Sequence, residues 1–435
     1  MAQAGNELDE LRLIASCPET AVSALVSLAE HPAYVVRLMV AENPSTPQDT
    51  LSQLAEDEDL LVREGAASHP AMPEDTLLML ATDASLLVRA RVAKNPQTPL
   101  VALFWLSADK DPWVREHAAE NPNLPDSMIL ALSQDEAPEV RCAVAENPRT
   151  SSAVLSCLAK DKEWGVRERV ASNPNTPVEN LVELTQDEVI YVREKVATNT
   201  NVPVDILVSM AKDSSVDVRL SVAGNSALPL SVLYELANNG VSVRASVAGN
   251  SATPPDLLSR LATDTSWPVR LTAAWNSHTP PDALSVLAAD QETGVRVRVA
   301  EHPSTPARAV LGLTNDSDEK VRKLAASHPA LSAEALAVLA TDPDFVVRCQ
   351  VAGCKRTPLE VAEQLAGDPV ESVRALVASR DDVSEDTLVQ LAKDNSPVVQ
   401  RAVADNARTP LVALQGLLRT ARGETWRTAS NRLRA

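Results

Sequence analysis

The 435-residue chain has little of several features that define other protein classes. Its five cysteines are scattered and form no C-x-x-C pair, so neither a disulfide framework nor a zinc site is indicated. No apolar run approaches the 18 or so residues that a membrane span needs. The first residues have neither the basic flank nor the apolar stretch of a secretion signal. We therefore expect a cytoplasmic protein with reduced cysteines and no membrane association.

Positive charge is also scarce. Lysine and arginine number 40 against 59 acidic residues, which gives a formal net charge of −19. An acidic surface repels phosphate, so the composition argues against non-specific nucleic-acid binding along the chain. The exception is the segment 419–435, which contains one acid, Glu424, and five arginines: Arg419, Arg422, Arg427, Arg432 and Arg434.

What the chain does have is a short repeat. A Val-Arg pair recurs every 26 residues from Arg37 to Arg374, with a single 25-residue step between Arg219 and Arg244, and a fifteenth repeat has Gln400 in place of the arginine. Alanine follows four residues later in all fifteen repeats. A strict period of this length indicates a solenoid, in which each unit buries its apolar face against its neighbours.

Each repeat reads as two short helices. Thr46-Pro47 predicts a helix start, with the threonine hydroxyl as cap and the proline at the first helical position. Leucines at helical spacing follow, and Asp57 marks the turn. A second helix contains Val62, Arg63 and alanines, and ends before the next Asn-Pro step. Both segments span about two to three turns, so either can adopt the 3₁₀ form.

Two columns of polar residues invite competing interpretations. The arginines could form a ladder for phosphates, but an aspartate lies six residues before twelve of the fourteen, so we favour a structural role in pairing and in satisfying turn carbonyls. The asparagine column, in which His69, His302 and His328 substitute, predicts a hydrogen-bonding ladder at the turns. A metal site built from His302 and His328 is disfavoured.

These residues resemble the leucine-rich repeat variant family, whose unit looks like N-P-x-T-P…L-x-x-L-A-x-D…V-R-x-x-V-A. Residues 95–99 and 173–177 carry the pattern closely, and the match extends over about residues 17–418. The resemblance implies a right-handed superhelix of paired α and 3₁₀ helices, related to HEAT repeats, with no general enzymatic activity. Some members carry a cysteine cluster for an iron–sulfur centre ahead of the repeats. Only Cys17 is present there, so we expect no cofactor.

The predicted fold class is therefore an all-α, right-handed solenoid of about fifteen 26-residue repeats, each a pair of short helices. We expect residues 1–36 to form an N-terminal cap and half repeat, 37–418 a continuous solenoid, and 419–435 a basic C-terminal cap or tail.

A partner-binding surface is expected where the repeat leaves residues free to vary. Positions one, two and five after each arginine fit this description, and we expect them to line the concave face. They are mostly charged in the N-terminal half but neutral in the middle, where residues 220–289 contain seven charged residues. The neutral set, ending in a large aromatic, predicts a docking site for a protein segment: Leu220, Ser221, Gly224, Ala245, Ser246, Gly249, Leu271, Thr272 and Trp275. Neutral drift in a region that binds nothing is the alternative.

Aromatic residues predict a secondary site. Six of the eleven lie two or three residues before the arginine, near one rim of the array: Tyr34, Trp113, Trp164, Tyr191, Trp267 and Phe345. They could contact ligands, but packing over the preceding loop is favoured.

No nucleophile–base pair, phosphate loop or metal spacing is recognisable. The sequence thus favours a non-enzymatic scaffold that binds a protein. The second hypothesis is a nucleic-acid-associated, HEAT-like protein that uses the basic C-terminal segment.

Overall fold

All regular structure in the described part of the chain is helical. The computed structural model describes residues 2–434, and the side chains of residues 8–433. The chain divides into two compact units, Met1–Val222 and Ala223–Ala435. Each unit is a stack of helix pairs without strands among the described residues. The predicted fold class, an all-α repeat solenoid, is confirmed.

Each repeat contains a long helix of eight or nine residues and a short helix of six or seven. The long helix carries the Val-Arg pair. In the first unit the long helices are Tyr34–Glu42, Leu60–Ser68, Leu86–Lys94, Pro112–Ala119, Pro138–Glu146, Trp164–Ser172 and Ile190–Thr198. Val216–Gly224 is the next long helix, and those of the second unit are Val241–Gly249, Trp267–Trp275, Thr293–Glu301, Glu319–Ser327, Phe345–Gly353, Glu371–Ala378 and Pro397–Asp405.

The short helices alternate with the long ones. Those of the first unit are Val22–Leu28, Gln48–Leu54, Glu74–Leu80, Leu100–Leu106, Asp126–Leu132, Ser152–Leu158, Val178–Leu184 and Val204–Met210. Those of the second unit are Leu230–Leu236, Pro255–Leu261, Pro281–Leu287, Ala307–Leu313, Ala333–Leu339, Leu359–Gln364 and Glu385–Leu391. The helix Ala2–Ser16 precedes the repeats, and Leu411–Thr420 and Gly423–Arg434 follow them.

The core of each unit lies between a layer of long helices and a layer of short ones. Long helices pack against the long helices of adjacent repeats, and short helices lie beside short ones. The valine before each arginine and the alanine four residues after it are buried, as Val166 and Ala171 illustrate at 0% exposure. The short helices contribute buried leucines such as Leu155 and Leu181. Small alanine side chains allow neighbouring long helices to approach closely.

The helix starts differ from the predicted ones. Thr46 does not cap the short helix after it: its hydroxyl donates to the carbonyl oxygen of Val40 at 2.6 Å, at the end of the preceding long helix. Pro47 is the N-cap residue and not the first helical one. The hydroxyl bonds to the preceding helix because the last carbonyls of that long helix are buried and lack intrahelical donors.

The short helices are α-helices. The 3₁₀ form occurs among the described residues only at Leu365–Gly367, directly after the helix Leu359–Gln364. Stacking on neighbouring repeats on both sides therefore sustains α geometry in segments of two turns, which are marginal in isolation.

The asparagine column forms the predicted ladder. The Nδ2 atom of Asn121 donates to the carbonyl oxygens of Ala93 at 2.7 Å and Asn95 at 2.9 Å, both in the preceding repeat. The Oδ1 atom accepts the backbone N–H of Asn123 at 2.9 Å. His69 takes the same place, with Nε2 contacting the carbonyl of Asn43 at 3.0 Å and Nδ1 accepting the backbone N–H of Ala71 at 3.1 Å. Each such side chain ties the turn of one repeat to the end of the previous long helix.

The arginine column is structural, as favoured from the sequence. Arg141 donates from Nε to the Oδ2 atom of Asp161 at 2.6 Å and from Nη2 to its Oδ1 atom at 2.9 Å. Its Nη1 atom donates to the carbonyl oxygens of Asp135 at 2.7 Å and Glu136 at 3.1 Å. One guanidinium therefore holds the turn before its own helix and the aspartate of the next repeat.

This arrangement, which we call the arginine–aspartate ladder, recurs from Arg37 to Arg193 in the first unit and from Arg244 to Arg374 in the second. At the short loop before Val241, the guanidinium of Arg244 donates to the carbonyl of Asn239 at 2.8 Å and to Asp264. Gln400 keeps only the contact to the turn, from Nε2 to the carbonyl of Asp394 at 2.7 Å. Guanidinium groups that are already bidentate to carboxylates have little capacity left for phosphate.

The ladder predicts a stability loss in acid. Burial acts to raise the pKa of Asp161, but the hydrogen bonds from Arg141 and from the backbone N–H of Glu163 outweigh it, so the pKa lies below its usual value. A depressed folded-state pKa contributes stability that is present above the unfolded value of about 3.9 and disappears as the pH falls through the folded value. The aspartates of the other repeats have pKa values shifted in the same direction, for example Asp57 and Asp290.

We expect Asp161→Asn to lower the free energy of unfolding by about 1.5–3 kcal/mol at pH 7, since a charged hydrogen-bond acceptor is lost. The deficit should shrink as the pH falls below about 4, where the carboxyl group of the unfolded wild-type chain takes up a proton, and should disappear once the lower folded-state pKa of Asp161 is passed. Urea denaturation between pH 2 and 7 measures both effects. A deficit of unchanged size at low pH would show that the charge of Asp161 contributes nothing to stability.

Candidate functional site

The positions one, two and five residues after the arginine, here called the open face, lie on the exposed side of the long helices. In the first unit this face is charged, and its charges pair between adjacent repeats: Arg91 lies 2.8 Å from Glu64, and Lys94 lies 2.9 Å from Glu120. In the second unit, the long helices Val241–Gly249 and Trp267–Trp275 carry no charged residue on this face. The two units thus offer surfaces of different chemistry.

Most of the predicted docking residues lie in the second unit. Gly224, Gly249 and Trp275 are exposed there, and Ala245, Ser246, Leu271 and Thr272 are half-buried. Leu220 and Ser221 belong to the first unit. A candidate site built on the structure is therefore confined to the seven residues of the second unit, with Trp275 at its C-terminal end.

Trp275 is the most exposed tryptophan among the described residues, at 68%. It ends the long helix Trp267–Trp275, and the guanidinium carbon of Arg298 lies 4.8 Å from the centre of its ring. The Nη1 atom of Arg298 donates to the Oε2 atom of Glu301 at 2.8 Å, so the arginine is itself held from the other side. The cation–π contact favours this orientation of the indole, and the ion pair favours the position of Arg298.

Two depressions flank the indole. One, of about 520 Å³, is lined by Gly249, Ser251, Thr272, Trp275, Asn276 and Ser277. The other, of about 230 Å³, lies on the Arg298 side and is lined by Ala274, Trp275, Ser277, Arg298, Glu301, His302 and Pro303. The first wall contains no ionisable group and the second contains the Arg298–Glu301 pair.

Gly249 helps to form the larger depression. A Cβ atom at this position would lie 3.0 Å from the Cγ2 atom of Thr272, closer than side chains normally approach. The Thr272 hydroxyl donates to the carbonyl of Pro268 at 2.8 Å, which fixes the methyl group in this place. Glycine therefore leaves room that any larger residue would fill.

Arg298 and Glu301 were missed by the sequence reasoning. They occupy the open-face positions two and five residues after Arg296, one repeat beyond Trp275. The neutral composition predicted docking residues only between residues 220 and 275. The repeat period could have predicted them, because the open-face residues of the next repeat must lie beside Trp275.

The aromatic rim residues are mostly exposed. Tyr34, Trp164, Trp267 and Phe345 expose between 41% and 50% of their surface and Tyr191 exposes 58%. The rings of Trp164 and Tyr191 lie 5.7 Å apart between centroids. Trp113 is the half-buried one: it packs on the core and contacts His117 edge to face at 4.7 Å. Trp113 therefore packs over the core, whereas the other five rim residues are exposed and can contact a ligand or a partner.

The C-terminal arginines have different surroundings. Arg419, Arg422 and Arg427 are exposed. Arg432 is half-buried and extends the asparagine ladder, with Nη1 donating to the carbonyl oxygens of Ala404 at 2.9 Å and of Asn406. The side chain of Arg434 lies outside the described residues. Of the five arginines named as nucleic-acid contacts, Arg432 is therefore already engaged within the protein.

Residues with catalytic or metal-binding potential serve the fold. His302 and His328 contact the carbonyls of Asn276 and His302 through Nε2, at 3.1 Å and 2.9 Å, and their Nδ1 atoms accept backbone N–H groups. The described residues contain no group of three or more side chains that could hold a metal ion. The five cysteines are free thiols, and burial raises the pKa of Cys142 and Cys349.

No helix within residues 2–434 is long and apolar enough to cross a membrane.

The fold and the surface define a helical repeat protein of the solenoid class. A family model described as leucine rich repeat variant matches residues 34–59 and 319–344. The chain is also similar to a solved structure described as a leucine-rich repeat variant with a novel repetitive protein structural motif. That match has 30% identity, covers 51% of this chain and 87% of the other, and has a TM-score of 0.41. The chain belongs to the leucine-rich repeat variant family.

Similarity to other solved structures is weaker. Kap121p bound to RanGTP is 14% identical, with 95% of this chain and 54% of that chain covered and a TM-score of 0.37. A structure of Kap95p with RanGDP is 13% identical, with 94% and 63% covered and a TM-score of 0.34. The chain thus spans about half the length of Kap121p. No curated protein matches the chain.

Nucleic-acid binding is testable at the C-terminal arginines. At physiological salt we expect duplex DNA to bind weakly or not at all, because the net charge of −19 repels phosphate. Binding detected at low salt should disappear in the triple variant Arg419→Ala, Arg422→Ala, Arg427→Ala, which removes the three exposed guanidinium groups of the basic C-terminal segment. Fluorescence anisotropy with labelled duplex measures this. Tight binding at physiological salt that the triple variant retains would favour a nucleic-acid-associated protein.

Proposed function

We propose that the protein is a non-enzymatic scaffold that binds a protein partner on the open face of its second unit, with Trp275 as the anchor. The observation that carries this proposal is an indole 68% exposed between two depressions and held in place by Arg298. Large aromatic side chains that insert between partners contribute most of the affinity in many interfaces. An indole whose orientation is already favoured by a contact within the protein loses less entropy on binding.

The uncharged surroundings support the same proposal. Gly249, Ser251 and Thr272 present small side chains beside the indole. Covering such a surface costs little, because no unpaired charge has to be desolvated. A partner segment with an apolar side chain can fill the larger depression and contact Trp275 from the face opposite Arg298.

The ladders support the absence of a catalytic role in this proposal. The arginines, aspartates and asparagines of the two ladders, and the histidines that replace some of the asparagines, are occupied by contacts between repeats. The alternative, a nucleic-acid-associated protein, is supported by three exposed arginines, Arg419, Arg422 and Arg427, against a strongly acidic remainder. The neutral site around Trp275 has no comparable cluster of arginines that could bind phosphate.

Trp275→Ala should abolish partner capture. We expect affinity capture from extracts of the source organism to retain a protein with wild type and to lose it with Trp275→Ala, a weakening of at least about tenfold. Trp267→Ala is the matched control, because Trp267 begins the same helix and is 50% exposed. It should retain the partner, and titration calorimetry with the purified partner then gives the affinities. Equal capture by Trp275→Ala and wild type would contradict the proposal.

A charge introduced into the same surface provides a second arm of this test. Ser246→Glu places a carboxylate on the neutral face and should also abolish capture, since burying an unpaired carboxylate costs several kcal/mol. Arg169→Glu makes a comparable change on the charged face of the first unit and should leave capture intact. Loss with Arg169→Glu and retention with Ser246→Glu would place the site in the first unit. Circular dichroism checks that each variant is folded.

A further inference from the structure

The short helix Leu100–Leu106 carries an exposed apolar face that the repeat pattern does not require. Its sequence is Leu-Val-Ala-Leu-Phe-Trp-Leu. Ala102, Leu103 and Leu106 point into the core, and the remaining four side chains are exposed by 44% to 61%. Those four are Leu100, Val101, Phe104 and Trp105.

The four side chains form a continuous surface. Residues four apart lie side by side on a helix, so Leu100 neighbours Phe104 and Val101 neighbours Trp105. The adjacent short helices extend the surface at the equivalent positions, 26 residues away: Met79 precedes Trp105 and Leu130 follows Phe104, with 42% and 52% exposed. We call these six residues the short-helix patch. Contiguous exposed apolar surface of this kind marks interaction sites in proteins.

The charges on the short helices around the patch have one sign, although Lys110 is exposed in the turn after Leu106. Glu74 and Asp126 are exposed at the positions equivalent to Leu100 in the preceding and following repeats, and Asp75 is exposed at the position equivalent to Val101. The eight short helices of the first unit contain seven acidic residues and no lysine or arginine. A complementary partner therefore carries an apolar centre with basic margins.

The backbone of the patch restricts the partner further. The N–H and C=O groups in the middle of these helices bond within the helix, so the surface offers no free edge to which an extended peptide could add as a strand. Side-chain ridges on parallel short helices instead suit a helix that lies along them and inserts its own apolar side chains. Acidic margins also disfavour a membrane, whose anionic headgroups attract basic segments.

We propose that the short-helix patch binds an amphipathic helix of a protein partner, whose apolar stripe covers Phe104 and Trp105 and whose lysine or arginine residues face Glu74, Asp75 and Asp126. This surface belongs to the first unit and is independent of the site around Trp275. Phe104 and Trp105 are the anchors, and the carboxylates supply selectivity for charge and a salt-dependent rate of association.

Two synthetic helical peptides test the proposal with the full-length chain. One has leucine and lysine at helical spacing over about 18 residues, or five turns, and the other has leucine and glutamate in the same order. We expect the leucine–lysine peptide to bind one site in calorimetry, and Phe104→Gln with Trp105→Gln to weaken it at least tenfold. The leucine–glutamate peptide should bind at least tenfold more weakly than the lysine peptide.

Matched variants separate a site from general charge attraction. Trp164→Gln with Tyr191→Gln removes two aromatics of similar exposure, 45% and 58%, from the rim of the same unit and should leave binding unchanged. Glu74→Lys with Asp126→Lys keeps the apolar patch and should weaken the lysine peptide, which tests the charge argument even if the Phe104 variant fails to fold.

Four results would overturn the proposal. If the Phe104–Trp105 variant bound the lysine peptide as tightly as wild type, the binding would come from net charge alone and not from the patch. Equal binding of the two peptides would refute the role of the acidic margins. Self-association of wild type in sedimentation velocity that the variant loses would assign the patch to a second copy of the chain. Binding to phosphatidylglycerol vesicles that depends on Phe104 and Trp105 would assign it to a membrane.

Discussion

The arginine–aspartate ladder is the interaction on which the rest of each unit depends. A helix pair of 26 residues buries too little surface to fold alone, so a repeat is stable only through its neighbours. Each guanidinium satisfies turn carbonyls of its own repeat and pairs with the aspartate of the next, as Arg141 does with Asp135 and Asp161. The asparagine ladder adds a second connection at the opposite turn. Directional contacts therefore set the register that the valine, alanine and leucine core then fills.

This use of polar residues determines where function can reside. Side chains that would be suited to phosphate, metal or proton chemistry are engaged in contacts between repeats, whereas the exposed sides of the helices are free to vary. The second unit presents Trp275 among small neutral residues, and the first presents Phe104 and Trp105 among carboxylates. We propose both surfaces as protein-binding sites, and their different charge would favour different partners.

The sequence predicted the repeat, its two helices and both ladders, because each depends on residues at fixed spacing. It misplaced the Thr46 hydroxyl, since a threonine between two helices can satisfy either end and only the buried carbonyl of Val40 decides. Arg298 was missed because its contact with Trp275 joins residues in different repeats. Phe104 and Trp105 were not predicted as a binding surface, because every apolar side chain of a leucine-rich helix is expected in the core. Only the structure shows which sides of the helix are buried. Contacts that follow the period are readable from sequence, and those that depart from it require coordinates.

A double-mutant cycle on Arg141 and Asp161 tests the central claim most directly. Arg141→Ala, Asp161→Asn and their combination are compared with wild type by urea denaturation at pH 7. If the ladder couples adjacent repeats, the losses in the free energy of unfolding are not additive, with a coupling of about 1–3 kcal/mol. Losses that add within about 0.5 kcal/mol would mean that the two side chains stabilise their repeats independently, and would contradict the account.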